Sequence, residues 1–122
     1  MGGVSTLADI YVEEGFHERL LNLLQLTSGD IRFIESYSTH LTKEYPEEIL
    51  ELYEKGVRKA AVETGRKEYK RVVYYLQSMR NIKGGDEVAA GLVRKLLQEY
   101  SNRPAMRDEF RKSFPGWMLR EE

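Results

Sequence analysis

Apolar residues recur along this chain at three- and four-residue intervals, and two-residue alternation is hardly visible, so the pattern predicts helices and no sheet. Ser5 is placed to cap a first helix carrying Leu7, Ile10 and Tyr11, which Gly15 ends. A second helix carries Phe16, Leu20, Leu21, Leu23 and Leu24, and Thr27-Ser28-Gly29 breaks the chain after it. Ile31, Ile34, Ser38, Leu41 and Tyr45 continue the helical spacing as a third element. Pro46 suits the first turn of a fourth helix, and Glu47 and Glu48 follow where the helix dipole favours acids. That helix packs through Ile49, Leu52, Tyr53, Val57 and Ala60 and stops near Thr64-Gly65. Tyr69, Val72, Val73, Leu76 and Met79 mark a fifth helix, which Lys83-Gly84-Gly85 turns. Asp86 then caps a sixth with Ala89, Leu92, Val93, Leu96 and Tyr100. Asn102-Arg103-Pro104 starts a short helix through Met106 and Phe110, and Pro115-Gly116 ends it, leaving Trp117 in a tail.

Connections of a few residues pair successive helices as antiparallel hairpins. Val12-Glu13-Glu14-Gly15 with Glu18 is echoed by Val62-Glu63-Thr64-Gly65 with Glu68, both at helix–Gly–helix junctions. Stacked helix pairs are the natural packing for such a pattern. The expected fold is all-α, an antiparallel helix-hairpin array forming a tetratricopeptide-like right-handed superhelix of about six or seven helices. Residues 1–6 read as a frayed or artificial start, 7–114 as a single helical domain, and 115–122 as a C-terminal tail. Leu76 and Leu92 centre apolar stripes and are expected in the core.

The 122 residues suffice for one core without staples, and there is no cysteine. This excludes disulfides, thiolate zinc sites and a cysteine nucleophile, and it fits a reducing, cytoplasmic setting. No apolar run reaches membrane-span length. Met1-Gly2-Gly3-Val4-Ser5-Thr6 matches the N-myristoylation pattern, but the first positive residue is Arg19, so the basic second signal for stable anchoring is missing and no membrane partner is expected.

Two stretches resemble known families. Leu7-Ala8-Asp9-Ile10-Tyr11-Val12-Glu13-Glu14-Gly15 is similar to a tetratricopeptide-type first helix, with the small Ala8 allowing close approach of the second. Tyr45-Pro46-Glu47, Leu52-Tyr53, Arg66, Tyr69, Tyr75-Leu76, Gly84-Gly85, Tyr100 and Arg103-Pro104-Ala105 with Asp108-Glu109 resemble the C-terminal helical region of bacterial SWIM zinc-finger proteins, from about Leu7 to Phe114. The family's Cys-x-Cys…Cys-x-His ligands lie upstream of that region, and this chain has no residue to match them. The resemblance implies a helical module that accompanies a zinc finger thought to bind DNA or protein, and it implies that the chain is the tail of a longer protein.

Catalytic and metal chemistry find little footing. His17 and His40 are the only histidines; His40 has Glu44 four residues on, a two-ligand set too small for a zinc site. Nearly all carboxylates fall on polar helix faces, whereas general acid–base work needs a dry pocket. Gly84-Gly85 precedes a helix start but lacks the further donors and the cation of a phosphate loop, so it reads as a tight turn. No catalytic residue, cofactor or metal is expected.

Charge is segregated. Residues 1–54 hold eleven acids against three bases, a balance of −8, and residues 55–83 hold nine bases against Glu63 and Glu68, a balance of +7. In the fourth helix Lys55, Arg58 and Lys59 sit near the C-terminus, where cations are welcome, and Glu51–Lys55 and Glu54–Arg58 have pairing spacing. The fifth helix is the reverse. Arg66, Lys67 and Lys70 crowd its first turns, where cations are disfavoured by about 0.3–1 kcal/mol each. With Arg71 and Tyr74 they form one arc opposite Val72, Leu76 and Met79. Acids of the first half would compensate them, or an acidic partner would, with Tyr74 free to stack. The sequence therefore leads to a non-catalytic interaction or scaffolding module that binds a protein or neighbouring domain through Arg66, Lys67, Lys70, Arg71 and Tyr74. A nucleic-acid-binding accessory domain using the same face is the alternative.

Overall fold

The computed structural model describes residues 3–27 and 30–120, with the backbone alone at Val4. Met1 and Gly2 of the lipidation pattern, and the Ser28-Gly29 break, lie outside the described residues. Among those described are eight helices and no strand: α1 (Gly3–Glu14), α2 (His17–Leu26), α3 (Ile31–Ser38), α4 (Pro46–Ala60), α5 (Arg66–Arg80), α6 (Gly85–Glu99), α7 (Pro104–Ser113) and α8 (Gly116–Leu119). No helix is long and apolar enough to cross a membrane.

From α3 onward each helix packs on its successor, and α4, α5 and α6 also pack on the helix after that. This makes an array of helices in which α5 touches α4, α6 and α7. Its buried face is Tyr69, Val72, Tyr75, Leu76 and Met79, matching the apolar stripe of the sequence. Leu76, Met79, Leu92, Leu96, Met106 and Phe110 are fully enclosed. Burying each such side chain contributes about 1.5–3 kcal/mol relative to exposure. Gly56 lets α3 and α4 meet closely, because a Cβ there would stand 2.8 Å from the Cβ of Ile31.

Several boundaries differ from the sequence expectation. Helix α1 begins at Gly3, so Ser5 lies inside it and residues 3–6 are helical. Helix α3 stops at Ser38, and residues 39–44 form turns, so Leu41 and Tyr45 reach the core from a loop and from the N-cap of α4. Asp86 does not cap α6. Gly84 does, in the left-handed conformation, and Asp86 instead accepts from Arg80 Nε at 2.8 Å. Gly85 is obligatory at this turn, since a Cβ would fall 1.7 Å from the carbonyl oxygen of Met79.

The end of the chain needs the largest correction. Residues 116–119 are helical, and Met118 and Leu119 are buried against α6 rather than trailing as a tail. Arg94 of α6 holds this turn, donating to the carbonyls of Trp117 at 2.7 Å and Met118 at 3.1 Å. The burial of a Met-Leu pair beside an exposed Trp has no sequence period long enough to read.

Candidate functional site

Helix α5 starts from Gly65, whose φ of 113° and missing side chain leave the helix without a side-chain cap. Its first turns carry the cations that the sequence singled out, and the structure separates them into three groups.

Arg66 is bound within the molecule. Its Nη1 donates to Asp108 Oδ2 at 2.6 Å and to Glu109 Oε2 at 2.8 Å, both on α7. The Glu109 side chain is only 7% exposed. The hydrogen bond from Arg66 is the main reason that both carboxyls titrate below the usual range, and Arg66 is itself raised by Asp108 first and Glu109 second. Lys112 adds a contact to Asp108 at 3.2 Å. Compensation for Arg66 therefore comes from α7 and not from the acidic first half. The contact of Arg66 with Asp108 and Glu109 joins α5 to α7.

Arg71 and Tyr74 are engaged less firmly. Arg71 donates to Glu68 at 2.8 Å, one helical turn back, and its guanidinium is raised by the Tyr75 hydroxyl and then by Glu68. Tyr74 is 57% exposed. Its ring stands edge-on to Tyr75 at 5.3 Å, and the hydrogen bond to Glu35 of α3 is the first cause of its raised phenol pKa. It is the one member of the arc that acids of the first half do reach.

Lys67 and Lys70 are exposed, and neither forms an ion pair with any described residue. Lys70 does help to lower the Glu109 carboxyl. All five residues of the arc are exposed, and Lys67 and Lys70 are the two cations among them outside any ion pair with a described residue.

Two nearby arginines have structural partners. Arg58 pairs with Glu54 at 3.6 Å and Glu99 at 3.8 Å. Arg103 donates to the carbonyls of Ala61 and Val62 at the end of α4 and lies over the Tyr100 ring at 4.0 Å. Glu44, four residues from His40 in sequence, is bonded to Nδ1 of His17 instead. Among the described residues no three metal-ligating side chains cluster.

One feature has no single-segment signature. Glu35 and Ser38 of α3, Tyr53 of α4 and Ser78 of α5 come together at a cleft of about 270 Å³. Three helices supply it, so no spacing along the chain could reveal it. Comparison of the chain with protein-family models, with curated proteins and with solved structures gives no match.

Proposed function

We propose that this chain is a non-catalytic helical interaction module whose partner is an acidic protein surface docking on the start of α5. The observation that carries the reading is the pair Lys67 and Lys70, exposed in the first turns of α5 and outside any ion pair with a described residue. Cations there are unfavourable to the isolated fold, and an acidic partner would reverse that penalty. Tyr74 lies beside them with an exposed ring, a residue type enriched at interfaces. The resemblance to the tail region of SWIM zinc-finger proteins supports attachment to such a protein, in a cytoplasmic setting, with the neighbouring domain as one form of partner.

The double charge reversal Lys67→Glu, Lys70→Glu tests the reading, because glutamate is favoured at that helix end. The variant should fold with equal or higher thermal stability and lose a protein that co-purifies with the wild type at moderate salt. Retention of that protein by the variant would sink the proposal. A salt-dependent shift of DNA or RNA by the wild type, abolished in the variant, would favour the nucleic-acid reading instead.

A further inference from the structure

Glu35 is a half-buried carboxylate without a cation. Ser78 Oγ lies 3.2 Å from its Oε2 and 3.1 Å from the Tyr74 carbonyl, and so shares one proton between them; the Tyr74 phenol is near enough for its pKa to be raised by Glu35. No described lysine or arginine pairs with it, and the two arginines flanking this stretch of α5 are committed elsewhere, Arg71 to Glu68 and Arg80 to Asp86. Hydroxyl donors stabilise a carboxylate but supply no opposite charge.

The cleft beside this carboxylate is lined with acceptors. Ser38 and Tyr53 are each 2% exposed, and their hydroxyls lie 3.3 Å apart. Ser38 also donates to the carbonyl of Glu35 at 3.4 Å. With that proton used, Tyr53 must supply the bond to Ser38, which leaves lone pairs on the phenol oxygen at the cleft wall. Burial and the nearby Glu35 keep that phenol protonated by raising its pKa. A carboxylate at the rim and a phenol oxygen below it suit a guanidinium or an ammonium.

An adjoining cleft of about 290 Å³ shares Thr42, Asn81 and Ile82 with the first and is also lined by Lys43 and Lys83. Neither lysine pairs with a described carboxylate. The two clefts therefore place a carboxylate and two lysines, none of them in an ion pair with a described residue, side by side, and Lys83 also faces Glu44, Glu47 and Glu48 across a third cleft.

We propose that these joined clefts bind an extended peptide segment of a protein partner, with an arginine or lysine beside Glu35 and an acidic residue against Lys43 and Lys83. The charge order along the clefts selects such a segment and disfavours a purely cationic one. This rests on the reading of the chain as a protein-binding module; it adjoins the face of that reading at Tyr74 but involves neither Lys67 nor Lys70.

The test is an NMR titration of the full chain with the synthetic peptide acetyl-Gly-Arg-Gly-Glu-Gly-amide, with the same peptide carrying citrulline for arginine, and with spermidine. Saturable shifts at the amides of Glu35, Ser38, Ser78 and Asn81 are expected for the arginine peptide. Citrulline, or the variant Glu35→Gln, should weaken binding by about tenfold or more, the value of one charge-assisted hydrogen bond. Asn81→Lys, which tethers an ammonium in the cleft, should abolish binding while the protein stays folded, and it decides the matter if Glu35→Gln does not fold. Equal binding of the citrulline peptide, absence of localised shifts, undiminished binding by Asn81→Lys, or spermidine binding as tightly as the peptide would each overturn the proposal. The reversal at Lys67 and Lys70 should leave this titration unchanged, so the two proposals can fail separately.

Discussion

The α1–α2 hairpin and the α4–α8 body are built from the same helical pattern but are held in different ways. In the body, α5 is covered on three sides, and its apolar stripe is enclosed. The hairpin buries Ala8, Leu20, Leu21 and Leu24 but leaves Leu7, Ile10, Phe16 and Leu26 exposed, Leu26 at 83%. Its links to the α3–α4 region include polar clasps: Tyr37 Oη donates to Asp9 Oδ1 at 2.6 Å and to the Ser5 carbonyl at 3.3 Å, and His17 bonds to Glu44. Asp9 is the first cause of the raised phenol pKa of Tyr37. An end helix has a neighbour on one side only, so part of its apolar face stays uncovered, whereas an internal helix is sandwiched.

The contrast predicts unequal responses to substitution. The largest belongs to the body: Leu76→Ala should cost about 2–5 kcal/mol in a denaturant titration, because the enclosing helices cannot collapse into the space. A loss below about 0.5 kcal/mol would break the picture of α5 as the centre of the array.

An intermediate effect is expected at the α5–α7 clamp, and it depends on pH. The Asp108 and Glu109 carboxyls are depressed in the fold. Their contribution is therefore present above the ordinary carboxyl pKa, about 4, and lost as pH falls through the folded values. Arg66→Met should lower the thermal midpoint at pH 7, where it leaves Glu109 enclosed without its cation, and approach the wild type in acid. Equal loss at both pH values would show that Arg66 acts through packing alone.

The smallest effect is expected at the hairpin, where Leu26→Ser should change stability by no more than about 0.5 kcal/mol. A larger loss in thermal melts would reveal that Leu26 is covered in solution, and would narrow the difference between the two regions.

Much of this architecture was legible because it is local. Pro46 and Pro104 open α4 and α7 where a fixed φ and a missing N–H suit a first turn. Val72, Leu76 and Met79 share a face because 3.6 residues make a turn. The arc from Arg66 to Tyr74 was legible for the same reason, but the division of labour within it was not. Sequence spacing shows that Arg66 and Lys67 are neighbours; only the arrival of Asp108 and Glu109 on α7 makes one of them a clamp between helices and leaves the other outside any ion pair with a described residue.

The sequence by itself determined helix class, the internal faces and the segregation of charge, since each follows from periodicity and composition within one element. Tertiary structure alone decided that residues 116–119 fold back onto α6, that Glu44 meets His17 rather than His40, and that Glu35, Ser38, Tyr53 and Ser78 share a cleft. These contacts join residues from different elements, and helix period says which way a side chain faces but not which helix arrives to meet it.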